Sequence, residues 1–312
     1  MPRTLTAIVL TLNEEKHLER CLRSLAGLAT AILVVDSGST DRTLAIASRF
    51  GAQVLRNPWT NYATQFNWAL DHGDIRTDWC LRIDADEHLS EALRANIGTF
   101  LSEPQPHAEV TGLTVRRTVY FLGRPLRWGG MGGLYMLRLF RTDSGRCEDR
   151  WMDEHITLGT GRSARIAGEL FDENLNNIGW WVNKHNGYAT REAIDLLQGR
   201  QERAERAPAA AGSGLHQQAQ VKRFIKHRVY ARIPPAVRAV LYFCYRYVLR
   251  LGLLDGRAGL AFCVMQALWY RMLVDLKVLE IEARMRSAQL SLSEAVFVEY
   301  GIKVDASRRS GK

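Results

Sequence analysis

Short apolar runs alternate with amphipathic stretches over the first 85 residues, and this alternation constrains the fold more than any other feature of the chain. Residues 5–10, 31–35, 52–55 and 79–83 read as buried strands. Between them, Leu18, Cys21, Leu22 and Leu25 fall at helical spacing, as do Leu44, Ala45, Ala47 and Phe50, and residues 61–70 read as a third helix. Strands alternating with helices of this length specify an α/β fold built on a mainly parallel sheet covered on both faces. Such sheets bind ligands at the carboxyl ends of their strands. The polar residues of this chain collect there: Thr11, Asn13 and Glu14 after the first run, Asp36 after the second, and Asp84, Asp86 and Glu87 after the fourth.

The fourth run ends as Arg82-Ile83-Asp84-Ala85-Asp86-Glu87. Three acids in four positions at the end of a central strand repel one another unless a cation sits among them. Hard divalent ions such as Mg²⁺ or Mn²⁺ take one or two carboxylates and complete their shell with phosphate oxygens and water. Upstream, Asp36 ends a buried strand, and Gly38 permits a tight turn into a helix whose N-terminus can face an anion. The middle third changes character. Residues 110–121 alternate β-branched and aromatic side chains, residues 128–133 (Trp-Gly-Gly-Met-Gly-Gly) form a flexible loop, and residues 134–140 read as another strand.

Three segments together, Ala7-Ile8-Val9-Leu10-Thr11-Leu12-Asn13-Glu14-Glu15, Ile32-Leu33-Val34-Val35-Asp36-Ser37-Gly38-Ser39-Thr40-Asp41 and Arg82-Ile83-Asp84-Ala85-Asp86, resemble the family-2 glycosyltransferases in order and spacing. The resemblance covers residues 4–160. It implies the GT-A fold, a Rossmann-like mixed sheet, here with a helical C-terminal extension. It also implies a nucleotide-sugar donor, with a UDP-sugar expected. On that resemblance Thr11, Asn13 and Glu14 lie near base and ribose, Asp36 hydrogen-bonds the nucleoside, and Asp84 and Asp86 hold the ribose-diphosphate and a Mg²⁺ or Mn²⁺ ion. Arg82 belongs to the same metal and diphosphate motif. Ser37 stands where many relatives carry a second Asp. Asn67, in Gln65-Phe66-Asn67-Trp68-Ala69, matches a polar residue facing the donor, and one arginine of Arg138-Leu139-Phe140-Arg141 is expected to reach the diphosphate. Trp151-Met152-Asp153-Glu154-His155 stands where the family places its base, with Glu154 preferred and Asp153 the alternative.

The remaining sequence addresses location and partners. Residues 206–254 hold nine of the 42 Lys and Arg and no acid, so the other 33 balance the 33 Asp and Glu and the formal charge of +9 belongs to one segment. There the cations interleave with large apolar and Tyr side chains, which suits an anionic membrane surface and counts against a nucleic-acid partner. A dinucleotide oxidoreductase is disfavoured, because Thr11-Leu12-Asn13-Glu14-Glu15 replaces the glycine-rich turn. The five scattered cysteines form no framework, and the N-terminal apolar run is too short for a signal peptide. These features imply a cytoplasmic protein, peripheral on the inner membrane.

The expected organisation is a catalytic domain over 1–198, a low-complexity linker over 199–220, a basic amphipathic helical region over 221–304 with membrane contact through 221–287, and a disordered tail over 305–312. Residues 258–270 alone are too short to span a bilayer. The Leu253-Leu254-Asp255-Gly256-Arg257-Ala258-Gly259 turn with its flanking helices resembles the C-terminal part of the lipopolysaccharide-core glucosyltransferase branch of the family, which implies an inverting enzyme with a lipid-linked or lipopolysaccharide acceptor. A soluble or protein acceptor is the alternative. The C-terminal hairpin is also compatible with a homo-oligomer contact.

Overall fold

A computed structural model describes residues 2–103, 109–148, 155–206 and 234–303, apart from the side chains of 202–206 and 235. Contacts divide the chain into two compact units, Met1–Asn176 and Asn177–Lys312. The expected catalytic boundary at 198/199 is therefore corrected. It falls inside a continuous helix, Ile178–Arg206. Gly199 costs such a helix about 1 kcal/mol, and the Arg, Gln, Glu and Ala residues that follow are good helix formers, so the helix runs on.

The first unit is organised on β1 (Leu5–Thr11), which pairs in parallel with β2 (Ala31–Asp36) and with β4 (Trp79–Asp84). β3 (Gln53–Arg56) adds in parallel outside β2. Beyond β4 the sheet becomes mixed, in the order β3-β2-β1-β4-β8-β6-β11-β5. Here β8 is Leu134–Arg141, β6 is Val110–Phe121, β11 is Arg162–Asp172 and β5 is Glu87–Leu89, while β7 (Arg124–Pro125) pairs with β6. The four strands β3-β2-β1-β4 are thus a continuous parallel block, β8 runs antiparallel to both β4 and β6, β11 pairs in parallel with β6, and β5 returns antiparallel. A separate hairpin joins β9 (Gly145–Cys147) and β10 (Ile156–Leu158).

Alternation along β1 sends its side chains to two cores. Leu5, Ala7 and Val9 pack with Leu18, Cys21, Leu22 and Leu25 of α1 (Leu18–Leu25) and with Leu93, Ile97 and Leu101 of α4 (Glu91–Ser102). Ile8 and Leu10 pack on the opposite face with Phe66 and Ala69 of α3 (Tyr62–His72) and with Phe140. Each fully buried Leu, Ile or Phe contributes roughly 1.5–3 kcal/mol. Two caps fix the helix starts beside the site, the Asn61 side chain accepting from Thr64 N at 2.7 Å and Ser90 from Leu93 N at 3.2 Å. In β11 the register shifts between Arg165 and Glu169. Gly168 occupies this bulge at φ +107°, and a Cβ there would meet the Leu93 backbone at 2.4 Å.

In the second unit, which begins with α5 (Ile178–Arg206), Ala193, Ile194 and Leu197 pack with Val278 and Ile281 of α8 (Tyr270–Ala288) and with Leu292, Ala295 and Val296 of α9 (Leu292–Tyr300). α6 (Pro235–Cys244) continues as a π-helical turn, Tyr245–Leu249. The chain then turns at Leu251 and Gly256, both with positive φ, into α7 (Gly256–Cys263) and a second π segment, Val264–Trp269, that leads into α8. The run Gly252–Ala288 is thus long and apolar enough, by length and composition, to cross a membrane. Residues 258–270 read alone understate this length, because the π segment joins the flanking helices without a break.

Candidate active site

The parallel pairing sets the site. Thr11 lies opposite Asp36 and Leu10 opposite Asp84, so the carboxyl ends of β1, β2 and β4 share one edge. Asp36 is 1% exposed. It accepts hydrogen bonds from Thr11 Oγ1 at 2.9 Å, Gly38 N at 2.9 Å, and Ser39 through both N and Oγ. Burial alone would raise its pKa, but these donors outweigh burial and hold the carboxyl below its ordinary value. Asp36 therefore shapes the loop after β2.

That loop is laced to the one after β1. Asn13, at φ +57°, accepts from Thr40 N at 2.8 Å through its side chain and donates its own N–H to Ser39 Oγ at 2.8 Å. Glu14 N donates to Thr43 Oγ1, and Glu15 N to Asp41. Ser37 Oγ accepts from Gln65 Nε2 at 3.1 Å, and the buried Gln65 amide is further bonded to Asn57.

The acidic end of β4 is a buried ion cluster. Asp84 Oδ1 accepts from the Tyr62 hydroxyl at 2.5 Å, and Oδ2 from Arg138 Nη2 at 3.4 Å. Glu87, 1% exposed, accepts from Arg138 Nη2 at 2.5 Å and from the Asp84 backbone N–H at 3.0 Å. Arg117 pairs with Asp172 and lies 3.8 Å from Glu87. The cation that the acidic run requires is thus partly arginine. Burial would raise Asp84, yet Arg138, Arg82 and the Tyr62 hydroxyl hold it well below the carboxylate range. Burial wins at Glu87 and pushes its carboxyl above that range, against Arg138 and Arg117. The two acids share one arginine, whose Nη2 lies 2.5 Å from Glu87 and 3.4 Å from Asp84.

Arg138 is 2% exposed, and its Nε and Nη1 have no hydrogen-bond partner among the described residues. Buried guanidinium N–H groups without an acceptor are costly, and an anionic oxygen would satisfy them. Arg141 is the exposed member of its pair, 3.7 Å from Asp143.

Asp86 is half-buried and held by a strap that follows β11. Asn174 Nδ2 donates to Asp86 Oδ2 at 3.1 Å, and Glu173 N to the Asp86 carbonyl at 3.1 Å. Arg20 pairs with Glu173 and donates to its carbonyl. His17, 1% exposed, accepts from Leu175 N at 2.9 Å through Nε2, so its Nδ1 donates to Glu14 at 2.6 Å.

Asn67 uses both halves of its amide on the Cys147 backbone, at 2.9 Å each, and so anchors the β9–β10 hairpin. Asp153 and Glu154 lie outside the described residues. The residues flanking that segment are joined, Glu148 N donating to the His155 carbonyl at 2.8 Å. In the loop over 128–133, Gly129, Gly130 and Gly133 all take positive φ. In the second unit Trp181 stacks on His185 and Lys184 lies over Trp180, 4.8 Å from the ring centroid.

Residues 6–147 match the family described as glycosyl transferase family 2. The lipopolysaccharide core biosynthesis glycosyltransferase LpsC of Rhizobium meliloti is 35% identical over 201 residues, covering 62% of this chain and 72% of that protein. The chain belongs to glycosyltransferase family 2. An uncharacterized glycosyltransferase of Rickettsia prowazekii is 37% identical over 63% of this chain and 69% of its own length. Other rickettsial glycosyltransferases align over only 32% of theirs. Glucosyl-3-phosphoglycerate synthase of Mycobacterium tuberculosis, in complex with Mn²⁺ and UDP-glucose, aligns with 24% identity over 38% of this chain and 44% of its own, at a TM-score of 0.30. That score is too low to bear on donor or metal. The sheet, parallel at its centre and mixed beyond β4, is the GT-A fold of this family.

In this glycosyltransferase no group of three or more His, Cys, Asp or Glu among the described residues could hold a metal ion. Asp84 and Asp86, hard oxygen donors at and just past the end of β4, nevertheless fit a Mg²⁺ or Mn²⁺ ion that draws its remaining ligands from phosphate and water. The sequence reading missed Tyr62, Arg117, Asp172 and Asn174. A polar strand end, Asp172-Glu173-Asn174, was the available signal for the last two, matching the ends of β1, β2 and β4.

Because the folded pKa of Asp36 lies below its unfolded value, near 3.9, its bonds stabilise fully above that value and are lost as pH falls through the folded one. Thr11→Val removes one donor at constant shape. It is expected to cost about 1.5–3 kcal/mol near pH 7, with the difference from wild type shrinking in acid. Urea melts at neutral and acidic pH measure both quantities.

Proposed function

We propose that the chain is an inverting glycosyltransferase that moves a sugar from a nucleotide sugar, a UDP-sugar, to a lipid-linked or lipopolysaccharide-type saccharide. The observation that carries the donor half is Arg138, fully buried with unpartnered N–H groups beside an ionised Asp84 at the carboxyl end of the parallel strands. A diphosphate supplies the oxygens these groups lack. The acceptor half rests on the likeness to LpsC, whose name places it in lipopolysaccharide core biosynthesis.

In this reading the interlaced loops of Thr11, Asn13, Glu14 and Asp36 form the nucleoside wall. Asp84 and Arg82 border the diphosphate, and Asn67 supports the site by anchoring the hairpin that carries Cys147. A divalent ion, Mg²⁺ or Mn²⁺, would be held by Asp86 and Asp84 and would supply countercharge to the diphosphate. Transfer is a single displacement. The acceptor oxygen bonds the anomeric carbon as the bond to the nucleoside diphosphate breaks, and a carboxylate takes the hydroxyl proton. Glu154 is assigned as that base, with Asp153 the alternative. Arg138 stabilises the charge that develops on the leaving phosphate.

Asp86→Ala is expected to abolish transfer and metal-dependent nucleotide binding while leaving the melting temperature within a few degrees, because Asp86 supports the fold through its backbone more than its carboxylate. Activity assays and thermal shift across a nucleotide-sugar panel with Mn²⁺ or Mg²⁺ read both. Full turnover of that variant, or in excess chelator, would refute the metal assignment. Glu154→Gln should keep donor affinity within about twofold and lower kcat by at least 10²-fold. If Asp153→Asn does this instead, the base moves one residue.

The second unit supports a membrane-bound acceptor. Between 240 and 254, Val240, Leu241, Val248, Leu249 and Leu254 are exposed, Leu249 by 73%, near the exposed Arg250 and Arg257. Apolar side chains beside cations suit the cytosolic face of an anionic bilayer. Paired Leu249→Glu and Leu254→Glu substitutions are expected to weaken sedimentation with phosphatidylglycerol vesicles by tenfold or more, on the order of two buried leucines. Unchanged sedimentation would rule out this surface, and transfer to a soluble saccharide alone would rule out the lipid-linked acceptor.

A further inference from the structure

We propose that Tyr62 is a positioning residue for Asp84, a hydroxyl spacer that keeps the Asp84 carboxylate out of a direct ion pair with Arg82 and so available to the donor's diphosphate and its metal. This rests on the donor-site reading above.

Tyr62 opens α3, where the Asn61 cap fixes its position, and its ring stacks on Phe66 at 6.4 Å. The Arg82 guanidinium lies over the Tyr62 ring, 4.0 Å from its centroid, a cation–π contact. From there Arg82 Nε donates to the Tyr62 oxygen at 2.9 Å. Arginine has no acceptor and a phenol only one hydrogen, so that hydrogen must go to Asp84 Oδ1, 2.5 Å away. The order Arg82 → Tyr62 → Asp84 therefore has one direction. It places a neutral group between a buried cation and the carboxylate at the site. Burial raises the phenol further above its ordinary pKa, which keeps the group protonated and donating.

Asp84 makes its other side-chain contact with Arg138 at 3.4 Å, a longer bond. Without the hydroxyl, Arg82 Nε and Asp84 Oδ1 lose the oxygen that bridges them. They would close on each other as a buried ion pair, and buried ion pairs are hard to open. The carboxylate would then be lost to an incoming ligand although its charge is retained.

The experiment compares Tyr62→Phe and Asp84→Asn with wild type in the full chain. UDP affinity is measured by calorimetry with Mn²⁺ and again in EDTA, together with kcat and KM for the UDP-sugar that the panel selects. Tyr62→Phe is expected to weaken Mn²⁺-dependent UDP binding about tenfold, the worth of one hydrogen bond to a charged group. It should change affinity in EDTA by less than about twofold, and lower kcat more than it raises KM. The EDTA measurement doubles as the folding control, because a misfolded variant loses both affinities together. Equal losses with and without Mn²⁺ would reduce Tyr62 to a packing role and overturn the proposal. If Tyr62→Phe behaves as wild type while Asp84→Asn loses metal-dependent affinity, the inference fails and the donor site stands. If Asp84→Asn also keeps that affinity, the donor-site reading fails with it.

Discussion

The buried pairing of Arg138 with Glu87 and Asp84 is the interaction on which the rest of the first unit depends. It joins β8 to β5 and to the end of β4, strands that the chain visits far apart. A guanidinium at 2% exposure cannot shed its proton, so the fold must bring acceptors to it. Glu87 answers from below through the Asp84 backbone, and Asp84 answers from the open side. The mixed half of the sheet is therefore more than a cover for the parallel half. It delivers the cation that allows three acids to stand together at the end of a buried strand.

Much of this was legible in the sequence. β1, β2, β4, β6 and β8 fall within a residue or two of their apolar runs, because a buried strand needs an unbroken stretch of fixed length and ends where polar residues begin. Asp36 and Asp84 were visible for the same reason. What escaped was long-range. β5 is three residues long, and β11 pairs with β6 across a bulge, so neither offers a clean period. Glu87 reads in the sequence as one more acid of a metal motif, whereas its carboxylate serves an arginine 51 positions away. Tyr62 sits on a helix, and nothing local to α3 says that its hydroxyl ends between Arg82 and Asp84.

The domain boundary shows the opposite error. Gly199 and the composition after it suggested a linker, yet propensity summed over neighbours outweighs one glycine, and α5 continues to Arg206. Apolar length was likewise underread in the C-terminal unit. The π segment Val264–Trp269 preserves continuity where a break would have left two short helices.

The lacing of the loops after β1 and β2 has a further consequence. Asn13, Ser39, Thr40 and Thr43 bond to one another's loops through side chain to backbone links, and Gln65 holds Ser37 from beneath. The loops complete their ordering when the chain folds, so a ligand arriving there need not immobilise them. The entropy of fixing that wall is charged to folding and leaves the binding step free of it. For the nucleotide donor proposed above, selectivity would then come from a rigid surface that rejects a poorly matched base by refusing to adapt to it.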